Sequence, residues 1–353
     1  MGESYGPYFA AANSGKGFVS FYDEVFNRPT LKKRYIIKGG PGTGKSSLMR
    51  QVAKNAMVQG KSVEHYRCSS DPDSLDGIIL DGEIALLDGT LPHSMDATLP
   101  GARDELINLG AFWDGDLLAK AYDQIQILNE KKQDAYQKAY RFLSACMEVE
   151  EVNRTLLQAC IRSKKLKGAV RRLCERIPNE SKFSVEPCLT DSVGMKGKIH
   201  FDSMEREAKQ LYRIEESFGS ASFYLAALAE EALRKQCGIK VSYDPVCPDR
   251  IRSLTFCQSG ICFVAVQKGE KGSDGTRINM TRFLDKNTFA AVRSELRSNQ
   301  KLKDALLGSA IDALQEAGGY HFDLEQIYVS CMDFDAESAF VTDFCESILK
   351  KPL

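Results

Sequence analysis

The sequence predicts an α/β protein built from two similar modules, each with a mainly parallel sheet flanked by helices. Three features of its 353 residues predict this fold. An apolar run, a glycine-rich loop and an amphipathic helix follow one another at residues 34–60. The strand-like run and the helix pattern return at 212–241, around a loop that keeps one glycine, and residues 115–177 between the two regions contain few helix breakers. We therefore expect one module at 1–178 and a second at 179–353, with long inserted helices.

Composition excludes some classes of protein. No stretch is apolar enough to span a bilayer, so we expect no membrane partner. Lys and Arg (47) nearly balance Asp and Glu (48), so net charge gives no argument for nucleic acid. The eleven cysteines form no C-x-x-C pair and no zinc-type spacing, and residues 1–18 lack the profile of a signal peptide. Reduced thiols and a cytoplasmic location are expected.

The glycine-rich loop of the first module has the pattern of a phosphate-binding loop. Its sequence, GGPGTGKS from Gly39 to Ser46, satisfies G-x-x-x-x-G-K-[ST] in full. "RYIIK" before it predicts a buried strand, and "KSSLMRQVAKNAMVQG" after it predicts a helix with one apolar face that ends at Gly60. A strand, this loop and a helix are the setting that the motif requires.

Each part of the loop has a role in binding phosphate. Glycines let successive N–H groups point at phosphate oxygens, and the helix N-terminus adds its dipole. Lys45 can reach the β and γ phosphates, and the Ser46 hydroxyl can ligate Mg²⁺. The predicted nucleotide-binding residues are Gly39, Gly40, Pro41, Gly42, Thr43, Gly44, Lys45, Ser46 and Ser47. Lys45 is also predicted to be catalytic.

A carboxylate that follows a second apolar run completes the expected metal site. The run from Ile84 to Leu87 ends in Asp88, which we predict to be catalytic and, with Ser46, to hold the metal. The alternative is a turn residue before Gly89. No acidic residue follows Asp88 directly, so slow hydrolysis is expected. The N/T-K-x-D element typical of guanine recognition is absent, which favours ATP with Mg²⁺ over GTP.

Two polar segments are expected on the rim of this site and are candidates to contact a small molecule or a protein partner. The first, residues 68–71 (Cys-Ser-Ser-Asp), follows a predicted strand at 63–67, and simple turn capping is its alternative. The second, residues 90–96, follows Asp88 and contains His93 and Asp96. His93 is either catalytic or a plain exposed side chain.

Residues 35–63 and 212–241 align as copies of one another. Tyr35 falls on Tyr212 and Gly42 on Gly219, and further downstream Ile107-Asn108 matches Ile278-Asn279. We interpret these ordered matches as a tandem duplication, with convergent α/β patterning as the alternative.

The second copy lacks the residues that bind phosphate. The positions of Gly39, Gly44, Lys45 and Ser46 are taken by Glu216, Ala221, Ser222 and Phe223. Glu215 and Glu216 would also repel a polyphosphate, at a cost of about several kcal/mol. We predict that the second module is degenerate and that each chain holds one nucleotide.

The segment 154–176 is strongly basic. Its cationic residues are Arg154, Arg162, Lys164, Lys165, Lys167, Arg171, Arg172 and Arg176. One interpretation is a surface for nucleic acid or another acidic partner. The simpler interpretation, which we favour, is a solvated helix face that packs by its other side.

Several motifs together resemble an uncharacterised family of bacterial P-loop ATPase-like proteins with two P-loop modules in tandem. They are "KGGPGTGKSS", "CSSDPDSLDG", "LLDGT.PH", "INLGAFWD" and "HFDLEQIYVSCMDFD". The resemblance spans nearly the whole chain. It implies a P-loop NTPase fold in each half and nucleotide binding, without an established substrate. This chain departs from the family pattern at 215–223, where members often keep a usable second loop.

The expected function is that of an ATP-binding, Mg²⁺-dependent P-loop NTPase, in which the first module alone hydrolyses ATP slowly or transfers phosphate to a small molecule. The alternative is a nucleotide-dependent switch or scaffold without significant turnover.

Overall fold

The computed structural model describes residues 2–178, 183–269 and 275–350. The chain before residue 179 forms, in order, β1 (Ser4–Phe9), β2 (Ala11–Ser14), β3 (Gly17–Ser20), α1 (Tyr22–Phe26), β4 (Lys33–Lys38), α2 (Lys45–Val58), β5 (Val63–Arg67), β6 (Leu75–Leu80), β7 (Ile84–Asp88), β8 (Asp104–Asn108), a 3₁₀ helix (Leu109–Phe112), α3 (Gly115–Lys120), α4 (Tyr122–Cys160) and α5 (Ser163–Cys174).

The described chain after residue 182 forms β9 (Val185–Cys188), β10 (Asp191–Gly194), β11 (Gly197–His200), α6 (Ser203–Arg206), β12 (Gln210–Glu216), α7 (Ala221–Arg234), β13 (Ile239–Tyr243), β14 (Ile251–Phe256), β15 (Ile261–Gln267), β16 (Thr276–Asn279), a second 3₁₀ helix (Met280–Phe283), α8 (Lys286–Ser330) and α9 (Phe334–Lys350).

Two sheets with the same topology organise these elements, and the fold is mixed α/β. The first has the order β1-β5-β6-β7-β4-β8, and the second has β9-β13-β14-β15-β12-β16. In both, the third strand in this order is antiparallel to its two neighbours, while the other pairs are parallel. Most strand pairs in each sheet are therefore parallel, as predicted. The antiparallel strands β6 and β14 are not among the elements that the sequence predicted.

Apolar periodicity explains the central unit of the first sheet. Ile36 and Ile37 of β4 are fully buried, and α2 buries one face through residues such as Leu48 and Val52. Beneath them, the buried Arg34 guanidinium forms a bidentate ion pair with Asp104, with Nε–Oδ1 at 2.8 Å and Nη2–Oδ2 at 2.7 Å. This pair joins β4 to β8 and fixes the strand that carries the glycine-rich loop.

The two halves exchange a helix. Val341, Phe344 and other residues of α9 lie in the core that α2 forms with the first sheet. In the same way, Leu166 and Val170 of α5 lie in the core that α7 forms with the second sheet. The boundary between residues 178 and 179 stays a prediction, and the packing of these two helices crosses it.

The long helices α4 and α8 pack against each other in antiparallel orientation. Their shared apolar cluster includes Leu143 from α4 and Leu314 from α8. Backbone hydrogen bonds tie the ends together: Asp114 N donates to Cys331 O, and Asp285 N donates to Cys160 O, both at 2.8 Å. None of the helices in the described part of the chain is long and apolar enough to cross a membrane.

Candidate functional site

The glycine-rich loop lies at the carboxyl edge of the first sheet. It begins where β4 ends at Lys38 and passes directly into α2 at Lys45. Strand β7 pairs with β4 in parallel, with Ile37 opposite Asp88. The structure thus brings Asp88 beside the loop, at the strand end where parallel α/β sheets carry their ligands.

The loop backbone has a conformation that only glycine adopts readily. Gly42 has a φ of 69° and Gly44 a φ of 79°, both in the left-handed region. Within the described residues, no acceptor bonds the backbone N–H groups from Gly42 through Ser46. The loop is held instead by the Thr43 hydroxyl, which donates to Gly40 O at 2.9 Å. Five successive donors near a helix N-terminus are suited to bind an anion.

Lys45 and Asp88 face each other at this loop. The Lys45 Nζ donates to Gly39 O at 2.9 Å and to Gly40 O at 2.7 Å, and lies 3.7 Å from Asp88 Oδ2. Asp88 Oδ1 accepts from the Thr90 N–H at 2.9 Å and from its hydroxyl at 2.6 Å. These bonds orient the carboxylate so that Oδ2 is the oxygen on the Lys45 side.

Ser46 lies at the first turn of α2, where its hydroxyl oxygen accepts from Leu75 N at 3.0 Å. A hydroxyl oxygen has a second lone pair, so the residue keeps the capacity to ligate a cation. The described residues contain no group of three or more His, Cys, Asp or Glu that could hold a metal by itself. A magnesium ion here would depend on phosphate oxygens and water for most of its ligands, as Mg²⁺ usually does.

Residues of the second half lie directly against the loop. A Cβ added at Gly44 would come within 2.5 Å of Glu337 Oε1 on α9, and one at Gly42 within 2.6 Å of Val329 Cγ2 on α8. Gly40 lies against Tyr328 of α8, whose ring is 5.4 Å from that of Trp113. The first module's loop is therefore enclosed by the α8–α9 junction, which the sequence did not predict.

His321 and Glu325, one turn apart on α8, add two titratable groups to the site. Burial, together with the nearby Lys132 and Lys45, lowers the pKa of His321 to about 4, so the imidazole is neutral at pH 7. Burial and the nearby Asp71 raise the pKa of Glu325 against the opposing effect of Lys45. Sequence reasoning missed both residues. The one signal was their one-turn spacing in "HFDLEQ", which lies far from the loop in sequence.

The 68–71 segment is anchored to the second half. Ser69 O accepts from the Ser192 hydroxyl at 2.7 Å, and Ser70 O accepts from Met195 N at 3.0 Å. Asp71 forms an ion pair with Lys196 at 3.3 Å. Of the four predicted rim residues, Asp71 is the one whose charge acts on both His321 and Glu325.

His93 is buried, so the interpretation as an exposed side chain is wrong, and a catalytic role stays a hypothesis. Its ring stacks on Tyr22 with centroids 4.5 Å apart, and its Nε2 lies 3.2 Å from Asp76 Oδ2. Burial opposes protonation, but Asp76 and Asp88 outweigh it and raise the pKa of His93. Asp96, in contrast, has an exposed side chain and pairs with Lys38 at 3.1 Å.

In the second half, the loop that corresponds to residues 39–46 provides acceptors for its own backbone N–H groups. The buried Glu216 carboxylate accepts from Ala221 N at 3.0 Å, at the start of α7. Ser222 N and Phe223 N donate to carbonyls within the loop, each at 3.3 Å. Burial raises the pKa of Glu216 against the effect of the Ala221 N–H. Glu215 pairs with Arg277 at 2.5 Å.

The basic segment comprises the end of α4 and α5, and it forms ion pairs within the chain. Lys167 pairs with Glu230 at 2.9 Å, and Arg171 with Glu231 at 3.5 Å, both on α7. The helix packs by its apolar side, and these charges lie on its exposed face.

Comparison with known proteins gives limited similarity. No protein-family model and no solved structure matches the chain. Among curated proteins, the chain is similar to DNA repair protein rhp55 of Schizosaccharomyces pombe, with 34% identity over 105 residues. That match covers 29% of this chain and 28% of rhp55, so the chain spans little more than a quarter of this relative.

Proposed function

We propose that the chain binds ATP with Mg²⁺ at the loop of residues 39–46, as the active module of a tandem P-loop NTPase whose second module is degenerate. The observation that carries the proposal is the run of backbone donors from Gly42 through Ser46 without acceptors among the described residues, next to Lys45 and Asp88. The equal topology of the two sheets supports the tandem duplication.

The donor set fits a Mg²⁺–nucleotide. The loop N–H groups would hold the phosphates, Lys45 would contact the β and γ phosphates, and Ser46 would ligate the ion. Asp88 would hold it through water, in the position that its bond to Thr90 fixes. When bound, Mg²⁺ neutralises charge on the phosphate oxygens. The Lys45 ammonium, which here donates to two loop carbonyls, would exchange these bonds for phosphate oxygens.

Two arrangements support phosphoryl transfer or hydrolysis. Glu325 has a raised pKa beside Lys45, and such a carboxyl group is suited to accept a proton from water or from an acceptor hydroxyl. Neutral His321 and the Asp71 carboxylate lie close enough to influence the same region. The His93–Asp76 pair is buried, and Asp88 is near enough for its charge to act on His93.

A nucleotide-dependent switch is the second candidate, and the enclosure of the loop favours it. Glu337 and Val329 belong to the second half, yet they lie against Gly44 and Gly42. Phosphates bound in the loop would act on these contacts and on the packed pair α4–α8. The similarity to rhp55 adds a nucleic acid as a possible partner of such a switch, although the basic residues of α5 pair with acidic residues of α7.

Calorimetric titration with ATP, ADP and GTP, with and without Mg²⁺, tests nucleotide binding. We expect ATP to bind with Mg²⁺ and more tightly than GTP. Absence of ATP binding at millimolar concentration would overturn the proposal.

Phosphate release in the presence and absence of a panel of nucleosides and small metabolites separates the two candidates. For an enzyme, Glu325→Gln should lower turnover and leave ATP affinity nearly unchanged. Glu316→Gln is the matched control, because Glu316 is an exposed residue of the same helix that pairs with Lys138. For a switch, turnover is absent, and ATP changes hydrogen exchange of residues 321–337.

A further inference from the structure

A cavity of about 190 Å³ lies in the second half, at the position that corresponds to the nucleotide loop of the first. Its floor is the end of β12 and the start of α7, where Ser217 and Ser220 contribute hydroxyl groups. The end of β15, the second 3₁₀ helix and the first turns of α8 supply the walls. None of the proposed nucleotide chemistry uses this cavity.

Three cationic side chains line the cavity: Lys268, Arg293 and Arg297. None of them has an ion-pair or hydrogen-bond partner for its side chain in the part of the chain that the structure describes. Arg293 and Arg297 are four residues apart on α8, so their charges lie on one face of the helix. Like charges at this spacing repel each other, and an anion between them would relieve the repulsion.

The acidic residues of the same cavity do not cancel these cations. Glu215 is neutralised by its ion pair with Arg277 at 2.5 Å. Glu216 is buried, and its carboxylate is directed to the α7 N-terminus by the Ala221 N–H. The accessible part of the cavity is therefore cationic.

We propose that this cavity binds a small anion that carries carboxylate or phosphate groups. Its volume is below the roughly 300–1,000 Å³ of pockets for drug-sized ligands, which suits a compact acid rather than a nucleoside triphosphate. Arg293 and Arg297 supply planar donors for carboxylate or phosphate oxygens, and Lys268 supplies a point charge. The Thr281 hydroxyl lies at the rim. Polyphosphate is excluded because Glu216 already occupies the helix N-terminus.

Calorimetry of the full chain with citrate, inorganic phosphate and glycerol 3-phosphate, at constant ionic strength, tests the site. We expect at least one probe to bind with one site per chain. Binding should weaken about tenfold or more when Arg293→Gln and Arg297→Gln are combined. Lys301→Gln, one turn further along the same helix and outside the cavity, is the charge-matched control and should bind as the wild type does.

Lys45→Ala separates this site from the nucleotide loop. Probe binding that survives Lys45→Ala and is lost in the double arginine variant supports the proposal. Probe binding that is lost in Lys45→Ala and kept in the double variant would assign the anion to the first loop and overturn it. Failure of all three probes to bind overturns it as well. A preference for citrate or for the phosphates identifies the acid group of the ligand.

Discussion

The loop between the central strand and the next helix occurs twice in this molecule, and its N–H groups have different partners in the two halves. In the first half the donors from Gly42 through Ser46 have no acceptor in the described structure. In the second half Ala221 N donates to Glu216, and the next two N–H groups bond loop carbonyls. A carboxylate of the chain thus accepts one of these N–H groups in the second half, whereas the first half has no such acceptor among the described residues. The same fold leaves these N–H groups without acceptors from the described chain in one copy and bonds them within the chain in the other.

The long helices that pass the two loops also bring different side chains to them. α8 brings His321 and Glu325 to the first loop, where their pKa values respond to Lys45. α4 brings Glu150 to the second loop, with its Oε2 3.7 Å from a Cβ placed on Gly219. Glu150 is already paired with Arg250 at 2.9 Å. The first loop therefore faces titratable groups, and the second faces a completed ion pair.

Removing the Lys45 ammonium should have the largest effect on the difference in phosphate binding between the two loops. Lys45→Ala should weaken ATP binding by about 2–4 kcal/mol, or roughly 30- to 1,000-fold, because a charge-assisted contact to phosphate is lost. The fold should persist, because the lysine contributes no core packing. Calorimetry provides the measurement, and Lys54→Ala on the exposed face of α2 is the control. Unchanged affinity in a folded Lys45→Ala protein would remove the phosphate-loop assignment.

Asp88→Asn should have a smaller effect that depends on the metal. A carboxylate that holds Mg²⁺ through water typically contributes about 10- to 100-fold to metal affinity. We expect ATP affinity to fall by that order with Mg²⁺ and to change little in EDTA. The bond to Thr90 can survive the change, because an amide oxygen also accepts. Equal losses with and without Mg²⁺ would make Asp88 a turn residue.

Glu216→Ala should reduce stability without opening a nucleotide site. The change leaves Ala221 N without its acceptor, which costs about 1–2 kcal/mol in the free energy of unfolding. Glu216→Gln should cost less, because its amide oxygen still accepts. Urea unfolding measures both. A second bound nucleotide in either variant would contradict the view that the whole loop is degenerate.

The pH dependence of the same variants gives an independent check. Burial raises the pKa of Glu216, so the folded protein binds its proton more tightly than the unfolded chain does. The wild type should therefore lose stability relative to Glu216→Gln as the pH rises from the usual range of Glu through the raised pKa. The opposite slope would mean that the Ala221 N–H dominates.

Ser222→Lys should have the smallest effect on nucleotide binding. It restores the lysine of the motif but none of the free N–H groups, so the protein should still bind one nucleotide per chain. Titration with a fluorescent ATP analogue gives the count for wild type, Ser222→Lys and Lys45→Ala. A wild-type count near two, with half of it retained in Lys45→Ala, would show that residues 215–223 bind nucleotide after all.

The local sequence pattern was sufficient to predict the central elements of the first module. The alternation of "RYIIK" predicted β4, the apolar face after Lys45 predicted α2, and the run before Asp88 predicted β7. Strand β6 was missed because it follows directly on a turn-forming Asp-Pro and Asp-Ser segment and then has no polar alternation. Such a short buried strand has no periodicity of its own.

The partners of the site could not be predicted from local pattern. Glu337 and Glu325 reach the loop only because α8 returns along α4 and α9 docks on the first sheet. That path depends on packing between distant segments, which no spacing in the sequence encodes. His93 shows the same limit, because its burial is compensated by Asp76, a residue of β6.

The exchange of α5 and α9 sets an order of events during protein synthesis. The apolar core around Leu48 needs Phe344 and Ile348, so it cannot close while the ribosome is still translating the second half. A nascent first module would expose the face of α2 that α9 later covers, and exposed apolar surface of this kind promotes aggregation. The second sheet, whose helix α5 is translated before it, has no such delay. The glycine-rich loop of the first half is therefore translated well before the helices α8 and α9 that enclose it.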